Sequence, residues 1–138
     1  MWSKKVTIQT KAKREQIWKL WADVENWNKW DNEVEFSKIN GKFETGVFGV
    51  LKPKNGPKSK FKIFSVSEPS EFAIEASLPF TKMYFTHLLE EKNGNLYLTH
   101  GIEMKGFLSF LFSRVVGKKL LESLPHSMKK LSDMAENS

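Results

Sequence analysis

The sequence predicts an α+β fold: a curved, seven-stranded antiparallel sheet wrapped around one long C-terminal helix, with two short helices after the first strand. Three observations carry this. From 107 to 136, Leu108, Leu111, Val115, Leu120, Leu124, Met128 and Leu131 recur at helical spacing. From 33 to 105 the apolar period is two, punctuated by turn pairs such as Asn40-Gly41 and Asn93-Gly94. The last helix has one apolar face, and the strand-rich region before it is expected to cover that face.

The elements follow in order. Lys5–Thr10 alternates polar and apolar residues and predicts the first strand. Lys11–Trp21 sets Ile17, Trp18, Leu20 and Trp21 on one helical face, with Thr10 as the expected N-cap. Asp23–Trp30 predicts a second short helix or turn that aligns Trp27 with Trp30. Val34, Phe36 and Ile39 mark the second strand, and Gly46–Lys52 the third. Lys60–Val66 is the fourth, and its alternation slips between Ile63 and Phe64, which predicts a bulge. Phe72–Leu78 alternates again and stops at Pro79. Lys82–Glu91 and Asn95–Lys105 form the last hairpin, because Asn93-Gly94 supplies the positive φ angles of a type I′ turn. In the final helix Pro125 removes a backbone donor and predicts a kink, and Gly117 is a second weak point.

At 138 residues the chain is expected to form one domain, 1–138, large enough to bury a core without staples. The absence of cysteine excludes disulfides, thiolate metal sites and cysteine nucleophiles, and fits a cytoplasmic location. The N-terminus has no apolar signal core, and no stretch is long enough to span a bilayer. Eleven phenylalanines and five tryptophans suit a core or an apolar pocket. The net charge of +6 has two explanations: solubility, or attraction to an acidic partner. The lysines alternate with apolar residues instead of forming a dense run, so solubility is preferred and nucleic acid is disfavoured.

The last hairpin carries the sharpest inference. A two-residue turn at Asn93-Gly94 pairs Lys92 with Asn95 and, counting back, His87 with His100. Directly opposed side chains share a face, with Cβ atoms about 4.5–5.5 Å apart. The same face carries Phe85, Leu98, Ile102 and Met104, so two imidazoles are expected side by side in an apolar interior. Burial and proximity both disfavour the imidazolium. The pair can orient a ligand carbonyl or hydroxyl, act as general acid and base, or fill the core as a hydrogen-bonded polar pair. Two histidines are too few for a zinc site, so no metal is expected, and no cofactor.

Ile17-Trp18-Lys19-Leu20-Trp21-Ala22-Asp23-Val24 with Trp27 and Trp30, the glycines at 41 and 46, and the closing stretch Leu124–Glu136 together resemble the START-like helix-grip superfamily (SRPBCC). That superfamily includes the birch-pollen-allergen type and the polyketide cyclase/dehydrase type. The resemblance implies an apolar cavity between sheet and final helix. It implies binding of a hydrophobic or amphipathic molecule such as a lipid, quinone or polyketide. It transfers no catalytic residue, because the superfamily has no shared catalytic motif.

The candidate ligand-contacting set is His87, His100, Phe85, Leu98, Ile102, Met104, Trp30, Phe36, Phe61, Ile74, Leu120, Leu124 and Met128. Three functions compete: a carrier or sensor of a small hydrophobic ligand; a cyclase, dehydratase or hydrolase using the same cavity; and a protein- or ribosome-binding module with a filled core. A monomer or weak homodimer is expected. Trp18, Trp21, Trp27 and Trp30 are expected to seal the core in preference to stacking on bases. Glu33 and Glu35 are expected on the solvent face of their strand, and His126 pointing outward. Phe107–Phe112 is apolar on more than one side, so some of its rings are candidates for a cavity gate or for peripheral contact with an anionic membrane, with Arg114, Lys118 and Lys119 just beyond.

Overall fold

The computed structural model describes all residues, 1–138. Seven strands form one antiparallel sheet: β1 (Trp2–Thr10), β2 (Val34–Ile39), β3 (Phe48–Pro53), β4 (Ser59–Ser67), β5 (Glu71–Leu78), β6 (Thr81–Lys92) and β7 (Asn95–Gly106). Their spatial order is β1-β7-β6-β5-β4-β3-β2, so each strand from β2 to β7 lies beside its neighbour in sequence. Only β1 pairs at a distance, along β7, with Val6 opposite His100 and Ile8 opposite Leu98.

Helix α1 (Arg14–Ala22) and a 3-10 turn (Val24–Lys29) link β1 to β2. The expected N-cap is corrected: the cap is Lys13, whose N–H donates to Gln16 Oε1 at 2.8 Å. Thr10 ends β1 instead. Its hydroxyl accepts from the Ala12 N–H at 3.1 Å and meets Ser132 Oγ at 2.6 Å, tying strand to final helix.

The last helix is continuous but not uniform. It opens as α2 (Ser109–Phe112), widens into a π turn (Ser113–Gly117) and continues as α3 (Lys118–Glu136) without a break at Pro125. Gly117 sits under the Trp2 ring; a Cβ there would come within 2.8 Å of it. Helix α3 packs on β1, β7 and α1.

The core gathers between these layers. Trp18, Trp21, Trp27 and Trp30 are all buried, with Phe61, Phe72, Leu98, Met128 and Leu131 around them. Trp27 stacks on Phe61 at 5.8 Å, and Trp21 meets Phe72 edge-on at 5.4 Å. Ring pairs of this kind add about 0.5–1.5 kcal/mol each beyond the area they bury. A smaller cluster of Met83, Ile102 and Met104 lies toward Trp2 and Leu120.

Two irregularities set which side chains face inward. The register of β4 on β5 shifts between Ile63 and Ser65, where the alternation slips in the sequence. A second shift, between Val34 and Phe36 in β2, has no such trace. It turns Val34 and Ser37 inward and Phe36 outward.

Candidate functional site

The β6–β7 turn positions the two imidazoles. Asn93 and Gly94 take φ of 53° and 81°, as a type I′ turn needs. Lys92 then pairs with Asn95 and His87 with His100, as the spacing predicts. The two rings lie 4.6 Å apart, edge to face.

Their partners fix their protonation. An indole N–H can only donate, and Trp21 Nε1 donates to His100 Nε2 at 3.3 Å, so the His100 proton resides on Nδ1. A carbonyl can only accept, and the Phe72 carbonyl lies 3.3 Å from His87 Nδ1, so His87 also carries its proton on Nδ1. His87 further stacks flat on the Phe72 ring at 3.9 Å. Two ring nitrogens have no protein partner: the His87 Nε2 lone pair, an acceptor, and the His100 Nδ1–H, a donor. Burial pushes His100 down to about 3. Burial, and then the neighbouring His100, hold His87 well below the usual imidazole range, against a smaller opposing effect of the Phe72 carbonyl. Both rings are therefore neutral at physiological pH.

These rings line a cavity of about 140 Å³ between the sheet and α3. Ile74, Phe85 and Ile102 form the sheet wall beside the histidines, and Leu120 and Leu124 the helix wall. Trp27, Trp30, Val34, Leu51 and Pro53 close the side under β2 and β3. One part of the lining is polar: Asp31, Glu33, Ser123 and Ser127. Burial raises the Asp31 carboxyl above its ordinary range, partly offset by the Glu33 N–H that its Oδ1 accepts at 3.0 Å. Ser127 Oγ donates to the same oxygen at 3.4 Å. Trp30 Nε1 is buried without a partner. No three His, Cys, Asp or Glu side chains stand close enough together to hold a metal ion.

Of the residues singled out in the sequence, His87, His100, Phe85, Ile102, Trp30, Ile74, Leu120 and Leu124 meet at this cavity. Leu98, Met104, Phe61 and Met128 face inward but are packed solid, away from the void. Phe36 is corrected outright: the β2 register shift leaves it 39% exposed. The same shift separates the two glutamates. Glu35 stays outside and pairs with Lys52 at 3.5 Å, whereas Glu33 is half-buried at the cavity. His126 is exposed. No motif marks Asp31, Ser123 and Ser127 in the sequence; they meet where α3 runs beside residues 31 and 32, with Ser127 bonded to Asp31 and Lys130 to Asn32.

Comparison with known proteins agrees with this architecture. A family profile described as polyketide cyclase / dehydrase and lipid transport matches residues 1–132. The chain belongs to this family. No curated protein matches it in sequence. Among solved structures, Ara h 8.0201 aligns over 99% of both chains with a TM-score of 0.75 at 13% identity. A hypothetical protein from Helicobacter pylori aligns over 96% of this chain and 86% of its own, with a TM-score of 0.74 at 10% identity. A conserved protein from Geobacillus kaustophilus covers 99% of this chain and 97% of its own, with a TM-score of 0.73 at 12% identity. At such identities the likeness is one of fold. Membership of the polyketide cyclase/dehydrase and lipid transport family, together with the helix-grip fold, supports a role in binding a hydrophobic ligand. No helix is long and apolar enough to cross a membrane.

Proposed function

We propose that this chain is a carrier or sensor that binds a small apolar molecule bearing one polar group between sheet and α3. The observation that supports it is the pair of unpartnered ring nitrogens, His87 Nε2 and His100 Nδ1–H, beside an otherwise largely apolar cavity. Acceptor and donor 4.6 Å ring to ring suit a guest hydroxyl, or a carbonyl held by the donor alone. Affinity would come mainly from desolvation, at roughly 25 cal/mol per Å² buried before ordering costs. Size limits the guest. Pockets for drug-sized molecules run to about 300–1,000 Å³, and a void of about 150 Å³ takes one benzene. The cavity, at about 140 Å³, suits a single ring or the end of a longer chain such as a quinone or lipid.

Ligand-detected NMR with benzene, phenol and p-benzoquinone tests this. Phenol should bind more tightly than benzene, and His87→Gln with His100→Gln should erase that preference. Benzene and phenol binding alike to the unaltered protein would refute the role given to the imidazoles. Native mass spectrometry of the purified chain reports any guest carried through purification.

A second reading, a cyclase, dehydratase or hydrolase, rests on Asp31. A carboxyl with a raised pKa at the cavity wall, beside Ser127, is equipped to hold and release a proton. Turnover of a cavity-bound substrate, lost by orders of magnitude in Asp31→Asn, would establish it. An interaction module with a filled core fits poorly with a void of this size, and ribosome or RNA binding would show a steep salt dependence.

A further inference from the structure

We propose that the end of the molecule formed by the β5–β6 turn, the end of β7 and the first turns of the last helix docks on an anionic lipid surface. Large apolar side chains stand unpartnered there: Phe80 is 79% exposed, Phe107 80% and Phe110 62%, with Leu111 and Val115 beside them. They are neighbours by construction, because Thr81 pairs with Gly106 at the end of the β6–β7 ladder. Gly106, at φ of 129°, admits the Phe80 carbonyl against it; a Cβ there would collide with that carbonyl. Phe80 itself holds φ of 52°, a region costly for a bulky side chain. Backbone strain that presents a ring to water calls for a function outside the folded chain.

The helix adds direction. Its exposed positions run Phe110-Leu111, Arg114-Val115, Lys118-Lys119, one stripe at helical spacing that passes from apolar to cationic along about 13 Å. Such a stripe sinks its tip into the acyl boundary and leaves its cations at the headgroups. Charge complementarity selects the surface. Residues 76–89 and 104–121 contain Lys82, Lys105, Arg114, Lys118 and Lys119 and not one Asp or Glu. Lys82 and Lys105 are directly opposed across the strands at this end of the sheet, Lys82 donating to Ser77 Oγ at 2.9 Å and Lys105 lying 5.4 Å over the Tyr84 ring. Glu75 and Glu103 stand one step inward, opposite Tyr84; the other acidic side chains of the sheet lie farther off, as at Glu90 and Glu91 by the far turn, or are matched, as Glu35 is by Lys52. The surface is also joined to the cavity, since Leu120 and Leu124 line it within two turns of the π segment.

Flotation of the full chain with vesicles tests the assignment. Vesicles of phosphatidylcholine with one-quarter phosphatidylglycerol should carry the protein upward, and pure phosphatidylcholine should carry about tenfold less. Because each basic residue near such a surface adds to the attraction, Lys118→Glu with Lys119→Glu should weaken binding at least about tenfold. Phe107→Ser with Phe110→Ser should do likewise; all four side chains are exposed, and circular dichroism should show the fold intact. Lys11→Glu with Lys92→Glu makes the same charge change at the opposite end of the sheet and should leave binding nearly unchanged. Absence of binding to the anionic vesicles would overturn the proposal. So would equal loss in the two lysine pairs, which would mark a mere net-charge effect. Lipid-independent self-association removed by the phenylalanine substitutions would assign the face to a second copy and overturn it too.

Discussion

His87 and His100 face each other across the β6–β7 ladder with their rings 4.6 Å apart, and both are neutral in the folded protein. The pair ties stability to pH. For His100 the unfolded value is 6.5 and the folded value about 3, so between these the unfolded chain binds the extra proton. The stabilisation is complete above pH 6.5 and declines as pH falls toward 3, by about 1.4 kcal/mol per unit. By pH 5 the loss from this ring alone is about 2 kcal/mol, and His87 acts in the same direction. Urea midpoints measured from pH 7.5 to 5 should fall, and His100→Gln should flatten the curve. Parallel curves for the two proteins would show that the ring is not the titrating group.

The tautomers can be read directly. Long-range ¹H–¹⁵N correlation should find the proton of both rings on Nδ1, because Trp21 and the Phe72 carbonyl occupy the opposite roles. Trp21→Phe removes the indole donor from a fully buried position. It should cost about 2–3 kcal/mol and free His100 to exchange tautomers while His87 stays fixed. An unchanged His100 spectrum would sever the two residues.

Leu124 offers a way to fill the void without touching the histidines. Leu124→Phe adds volume on the helix wall of the cavity. Thermal stability should hold or rise by up to about 1 kcal/mol, and binding of phenol should disappear. Undiminished phenol binding would place the guest elsewhere.

Asp31 acts in the opposite sense to the imidazoles. Its folded pKa lies above the unfolded one, so the folded chain binds the extra proton and stability rises as pH falls from the folded value toward 3.8. At pH 7 the buried charge is a cost. Asp31→Asn keeps the oxygen that accepts from the Glu33 N–H and removes the charge, so the melting temperature at pH 7 should increase. A lower melting temperature would mean that the carboxylate is paid back by contacts beyond Glu33 and Ser127.

These residues also show what a sequence exposes and what it hides. The histidine register was legible because Asn-Gly fixes a two-residue turn, and a two-residue turn fixes every pair behind it. Phe36 was not, because a bulge changes the phase of a strand without altering its composition. Leu98 and Met128 sit on the expected inner face yet touch no void, since facing inward does not determine where packing fails. Ser123 and Ser127 share a helix face at a spacing of four, but Asp31 is far from them in sequence, and only the path of α3 unites the three.

The π segment at Ser113–Gly117 fixes the rotational phase between two parts of one rod. A residue in a helix subtends about 100°. A π turn spends one residue more than an α turn on nearly the same rotation, so deleting a single residue there would restore α geometry and leave Phe110 and Leu111 in almost their present phase relative to Leu120 and Leu124. The wide turn itself therefore keeps the outer tip and the inner wall in compatible directions, and holding all five residues in α geometry would rotate one from the other by about a quarter of a revolution with every side chain at both ends preserved.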